Sequence, residues 1–110
     1  MRAPITTHIL DLHSGKPAEG VKVELISPAN DIIASSTTNA DGRILQWPIE
    51  FETITGTWHL RFFTQAWFQD RGEEAFFSDV TLSFNVGGSE PHYHVPLLLN
   101  ACGFSTYRGS

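Results

Sequence analysis

Three short segments of this chain carry imidazoles, hydroxyls or a guanidinium group among strand-forming residues. The first is Thr6-Thr7-His8-Ile9-Leu10. The two-residue repeat of a pleated strand puts Thr6, His8 and Leu10 on one face and Ile5, Thr7 and Ile9 on the other. The second is His92-Tyr93-His94-Val95-Pro96-Leu97, where His92 and His94 share a face. The third is the stretch Ser105-Thr106-Tyr107-Arg108-Gly109-Ser110. An imidazole has an ordinary pKa of about 6.5, so near neutral pH one histidine can accept a proton while another donates one. A guanidinium beside them could hold an anionic substrate or a developing oxyanion in a fixed fork. Of the chain's five arginines, Arg43 follows a tight turn and Arg108 lies near the terminus.

Other chemistries compete for the same residues. His-x-His on a strand is also a metal-ligand spacing, so zinc stays open on residue types alone. No carboxylate lies within the strand that carries the pair, and the one soft ligand, Cys102, falls in a turn beyond His94. A single thiol cannot staple its own chain, and Cys102 is expected to be a small, half-buried hydrophobe. His13 and His59 are expected to be structural or exposed, and His92 is a neighbour of the site with no motif of its own. The chain has no Gly-x-Ser-x-Gly elbow, phosphate-binding glycine loop, Cys-x-x-Cys pair or dinucleotide fingerprint. Its carboxylates are scattered without a paired pattern.

The net charge of −5 argues against nucleic acid as a partner, because phosphate binding needs a basic face. The charge is uneven: Pro91 to Ser110 contains no Asp or Glu but keeps His92, His94 and Arg108. Either a buried strand pair or a pocket for an anionic small molecule would account for that. The 110 residues suffice for one domain spanning 1–110, with a modest surplus of burial that oligomerisation would increase. No apolar run approaches the roughly 20 residues that span a bilayer, so no membrane partner is expected. Met1-Arg2-Ala3-Pro4 carries no apolar stretch of signal-peptide length, and the expected compartment is the cytoplasm.

The elements that must position these groups are mostly strands. Ile5–His13, Val21–Ile26, Ile32–Thr38, Arg43–Trp47, Thr57–Phe63, Phe77–Val86, His92–Leu99 and Phe104–Arg108 read as strands. They are punctuated by Ser14–Pro17, Ser27–Asp31, Asn39-Ala40-Asp41-Gly42, Pro48 and Gly87-Gly88. Gln65–Gly72 is the best helix candidate, about two turns ending at a glycine. About eight short strands with one short helix predict an all-β, two-sheet sandwich.

The run Tyr93-His94-Val95-Pro96-Leu97-Leu98-Leu99, followed by Gly103-Phe104-Ser105-Thr106-Tyr107-Arg108-Gly109-Ser110, resembles the transthyretin-like 5-hydroxyisourate hydrolases, which share the Tyr-Arg-Gly-Ser ending. Thr7-His8-Ile9-Leu10-Asp11 with Gly15-Lys16-Pro17-Ala18, and Asp41-Gly42-Arg43, resemble two further family motifs in the same order and spacing. The resemblance covers essentially the whole chain. It implies a transthyretin-like sandwich assembled as a dimer of dimers, a homotetramer with active sites in the cleft where dimers meet. It implies catalytic residues His8, Arg43 and His94, with Tyr107, Arg108, Gly109 and Ser110 lining the substrate site, and no metal or cofactor. The implied reaction opens 5-hydroxyisourate to 2-oxo-4-hydroxy-4-carboxy-5-ureidoimidazoline in urate degradation. The related hormone carrier transthyretin shares the fold but lacks the two histidines, the arginine and the Tyr-Arg-Gly-Ser ending. A small-molecule carrier and a zinc-binding module remain the rival readings. The sequence departs from the common Ser-Pro-Tyr-Gly-Tyr at Asn100-Ala101-Cys102-Gly103-Phe104, where packing between subunits would be affected.

Overall fold

In the computed structural model, which describes residues 2–87 and 89–110, the chain forms nine strands and one helix. The strands are β1 (Ile5–Asp11), β2 (Lys16–Pro17), β3 (Lys22–Ile26), β4 (Ile32–Thr37), β5 (Arg43–Ile44), β6 (Gly56–Phe62), β7 (Val80–Val86), β8 (Tyr93–Asn100) and β9 (Gly103–Thr106), with α1 (Thr64–Gln69) between β6 and β7. One sheet runs β2-β1-β8-β9, with β5 also paired to β1; the other runs β4-β3-β6-β7. This is the expected two-sheet sandwich.

The period-two pattern of the strands explains the core. Ile5, Ile9, Leu97 and Leu99 from the first sheet meet Val23, Leu25, Trp58, Leu60 and Phe62 from the second, all with essentially no exposure. Each such side chain contributes roughly 1.5–3 kcal/mol by leaving water. Buried polar groups on the inner face are satisfied locally. Thr7 Oγ1 donates to Val95 O at 2.6 Å, and the Trp47 indole N–H donates to Ile5 O at 2.8 Å.

Several element boundaries differ from those expected. β1 stops at Asp11, whose carboxylate accepts from His13 N at 3.0 Å and Ser14 Oγ at 2.8 Å and so starts a turn. Lys16–Pro17, expected as part of that turn, returns to pair with β1. β5 ends at Ile44 rather than Trp47, because the Trp47 ring folds into the core. The helix starts one residue earlier and ends at Gln69; its last turn tightens, with Gly72 N donating to Gln69 O and Gly72 at φ +72°. Phe77-Ser78-Asp79 precede β7 rather than belong to it, since Phe77 stacks edge-on with Phe76 at 4.9 Å and with Phe104 at 5.7 Å. Arg108 and Tyr107 fall outside β9. The break at Gly87-Gly88 lies partly outside the described residues. Cys102 is exposed, not half-buried, because the turn between β8 and β9 projects it outward. Among the described residues no helix is long and apolar enough to cross a membrane.

Candidate active site

The outer face of the β1–β8 pair gathers the histidines. β1 and β8 run parallel, with Thr6 opposite His94, His8 opposite Pro96 and Leu10 opposite Leu98. Cross-strand partners share a face, so Thr6, His8 and His94 point the same way, away from the core. β5 pairs antiparallel with β1 on the other side and sets Arg43 directly opposite His8. Three strands from distant parts of the chain thus present His94, His8 and Arg43 side by side.

The placement of Arg43 rests on the turn before it. Asn39 Oδ1 accepts from Asp41 N at 2.9 Å and Arg43 N at 3.0 Å, and Gly42 O accepts from Ile9 N at 2.7 Å. Gly42 sits at φ +71°, and a Cβ there would lie 2.5 Å from Ile9 O. Only glycine lets this turn press so closely on β1. The Arg43 guanidinium has no hydrogen-bond or carboxylate partner among the described residues, so its donors are uncommitted.

His94 is fixed from two sides. Thr6 Oγ1 lies 2.8 Å from His94 Nδ1 and 2.9 Å from His92 Nε2, and the two imidazoles stack with centroids 6.3 Å apart. Gly109 N donates to His94 O at 2.9 Å, which lays the C-terminal tail along β8 and brings Gly109 against the Cδ2 edge of the ring.

All three imidazoles are held below the ordinary histidine value. For His94 the causes are partial burial first, then the charge of Arg43, with smaller effects from His92, His8 and Arg2. For His8 they are partial burial and then Arg43, partly opposed by the backbone and carboxylate of Asp41. His92 is lowered by partial burial and by Arg2. The face therefore carries neutral imidazoles beside fixed positive charge at neutral pH. That combination suits proton removal from water and stabilisation of an oxyanion.

The tail residues divide. Gly109 touches His94 directly. Tyr107 and Arg108 line, with His94, Tyr93, Val95 and the β7 side chains, a groove of about 430 Å³. The Arg108 guanidinium lies 5.2 Å over the Tyr93 ring and 3.8 Å from a Glu90 oxygen, with both charged groups largely in solvent. Ser110 is exposed. His8 and Arg43 do not line that groove; they open onto the outer face of the sheet, which a single chain leaves unenclosed. Of the other histidines, His13 is exposed, and His59 is half-buried with Nδ1 2.7 Å from Ser83 Oγ. Among the described residues no group of three or more His, Cys, Asp or Glu is arranged to hold a metal, and Thr6 occupies one ring nitrogen of each member of the His92–His94 pair.

Neither Thr6 nor Arg2 was among the site residues expected from the sequence. The parity of β1 put Thr6 beside His8, but its contact with His92 and His94 depends on the parallel register with β8. Arg2 gave no signal.

Residues 5–109 match the model of the HIUase/Transthyretin family. A probable 5-hydroxyisourate hydrolase of Schizosaccharomyces pombe is 39% identical, with 96% of this chain and 90% of that protein aligned. The solved structure of Klebsiella pneumoniae 5-hydroxyisourate hydrolase superposes with a TM-score of 0.86 at 40% identity, covering 96% of this chain and 98% of that one. Sea bream transthyretin in complex with thyroxine superposes with a TM-score of 0.89 at 25% identity, covering 97% and 95%. The backbone alone therefore does not separate a hydrolase from a carrier, and the side chains of the site must do so.

Proposed function

This chain belongs to the HIUase/transthyretin family, and from that premise we propose that it hydrolyses 5-hydroxyisourate at the N1–C6 amide, giving 2-oxo-4-hydroxy-4-carboxy-5-ureidoimidazoline. The observation that carries this reading is the meeting of His8, Arg43 and His94 on one outer face, with both imidazoles kept neutral. The identity of about 40% with proteins named as 5-hydroxyisourate hydrolases supports the same substrate.

In this reading one imidazole takes a proton from water as its oxygen bonds to the carbonyl carbon. The carbonyl electrons move onto oxygen, where Arg43 stabilises the charge. Collapse of the adduct breaks the C–N bond, and the leaving nitrogen receives a proton from an imidazolium. The reaction needs no metal or cofactor. Arg108, Tyr107 and Ser110 would contact the ring of the substrate. A second copy of the chain would close the open face, in a dimer of dimers. Two features support that assembly: β7 and β9 end their sheets, and Phe76, at 77% exposure, forms an aromatic cluster beside them with Phe77 and Phe104.

The test is ultraviolet decay of freshly generated 5-hydroxyisourate with the wild-type protein and with His8→Ala, Arg43→Ala and His94→Ala. The expected loss of turnover is about 10²–10³-fold for Arg43→Ala. Near-wild-type decay in all three variants would overturn the assignment. The wild-type product should be one enantiomer, whereas spontaneous decay in water gives both.

A further inference from the structure

Thr6 is wholly buried although it lies on the outer face of β1 beside His8. Its hydroxyl touches two ring nitrogens, His92 Nε2 at 2.9 Å and His94 Nδ1 at 2.8 Å. A hydroxyl carries one proton, so it donates to one of these nitrogens and accepts from the other. Only two arrangements satisfy all three groups. In one, His92 Nε2–H donates to Thr6 and Thr6 donates to His94 Nδ1, which leaves the His94 proton on Nε2. In the other, His94 Nδ1–H donates to Thr6 and Thr6 donates to His92 Nε2, which leaves His94 Nε2 bare.

The choice matters because Nε2 is the ring atom His94 has left for chemistry. Nδ1 is taken by Thr6, and the Cδ2 edge is covered by Gly109. We infer that Thr6 and His92 are positioning residues that hold His94 as its Nδ1–H tautomer, so that His94 Nε2, and not His8, removes the proton from water. This rests on the hydrolase reading above.

Proton accounting favours this direction. When Nε2 takes a proton in the second arrangement, the imidazolium still donates Nδ1–H to Thr6 and Thr6 still donates to His92. No hydrogen bond breaks, and neither Thr6 nor His92 changes protonation. In the first arrangement the added proton would have to enter at Nδ1. Thr6 would then face two donors, and its own proton would lose its acceptor. His92 must stay neutral to remain an acceptor, because imidazolium only donates. Partial burial and the charge of Arg2 keep it so. On collapse of the adduct the proton on His94 Nε2 passes to the leaving nitrogen, and the relay returns to its starting state.

The experiment has two arms. In the first, ¹⁵N-histidine NMR of the wild-type protein above pH 7 reads the tautomer of His94, assigned by the resonance lost in His94→Gln. A protonated Nδ1 with bare Nε2 is expected. A protonated Nε2 overturns the inference whether or not the protein turns over substrate, whereas absent turnover in the wild type would overturn the hydrolase reading alone. In the second arm, Thr6→Val removes the hydroxyl at nearly constant volume. It should lower kcat about 10- to 100-fold with KM changed less than about twofold, and shift His94 toward the Nε2–H form. Thr6→Ser should recover most of that loss. His92→Lys, which can only donate, should reverse Thr6 and lower kcat as Thr6→Val does. Retention of wild-type kcat by Thr6→Val or His92→Lys would overturn the assignment.

Discussion

Gly109 lies so close against the Cδ2 edge of the His94 imidazole that a Cβ at residue 109 has no room beside the ring, and would also come within 3.1 Å of Pro96 Cγ. The glycine therefore sets where His94 stands as much as Thr6 does.

Gly109→Ala should push the His94 ring aside while leaving the sandwich intact, because residue 109 lies outside the core. Displacement of a catalytic group by about 1 Å can cost about 10²-fold in rate. The expected outcome is a large fall in kcat with an unchanged thermal midpoint, measured by substrate decay and circular dichroism. Full activity would show that the ring is not positioned from this side.

Gly42→Ala should damage stability and activity together. Its φ of +71° and the 2.5 Å approach of a new Cβ to Ile9 O leave no relaxed solution. A strained backbone of this kind costs about 1–3 kcal/mol, and the turn would carry Arg43 away from His8. A drop of several degrees in the midpoint and a loss of turnover are expected; a variant with normal stability would contradict the account of the turn.

Thr38→Val provides the contrast. Thr38 Oγ1 donates to Ala18 O at 2.7 Å and accepts from Val21 N at 2.9 Å, in a buried position where both partners are backbone groups. Removing the hydroxyl strands two buried backbone groups and should cost about 1–3 kcal/mol. The kcat of the folded fraction should stay at the wild-type value.

The pH profile carries a sign that can be checked. His94 and His8 titrate below the ordinary histidine value, through partial burial and then through Arg43. The acid limb of kcat/KM should therefore lie below about pH 6.5. Arg43→Gln removes one lowering influence, so the limb of its residual activity should move to higher pH. Stability follows the same linkage: with folded values below unfolded ones, the stabilisation is complete above about pH 6.5 and is lost as pH falls through the folded values. Urea denaturation at a series of pH values measures it, and stability rising as pH falls through this window would be the wrong sign.

The sequence revealed strands and faces better than it revealed neighbours. Pleat parity placed Thr6 with His8 and His92 with His94, and the resemblance tied His8 and His94 to Arg43. The register that sets Arg43 opposite His8 was not legible, because β5 is two residues long and takes its pairing from the turn at Gly42. The contact of Thr6 with His92 and His94 was not legible either, since it joins residues 86 and 88 positions apart. Boundaries moved where side chains outranked local pattern: Trp47 left β5 for the core, and Phe77 left β7 for an aromatic cluster.

The parallel pairing of β1 with β8 also governs when the site can exist. Thr6 stands 88 positions before His94, so the hydroxyl and the imidazole meet only after every strand between them has been made. A chain not yet extended to β8 can pair β1 with β2 and β5 and set His8 opposite Arg43, but it has no His94 to bring to Thr6. Competence is therefore acquired in one late step, when β8 docks on β1 and Gly109 closes against His94.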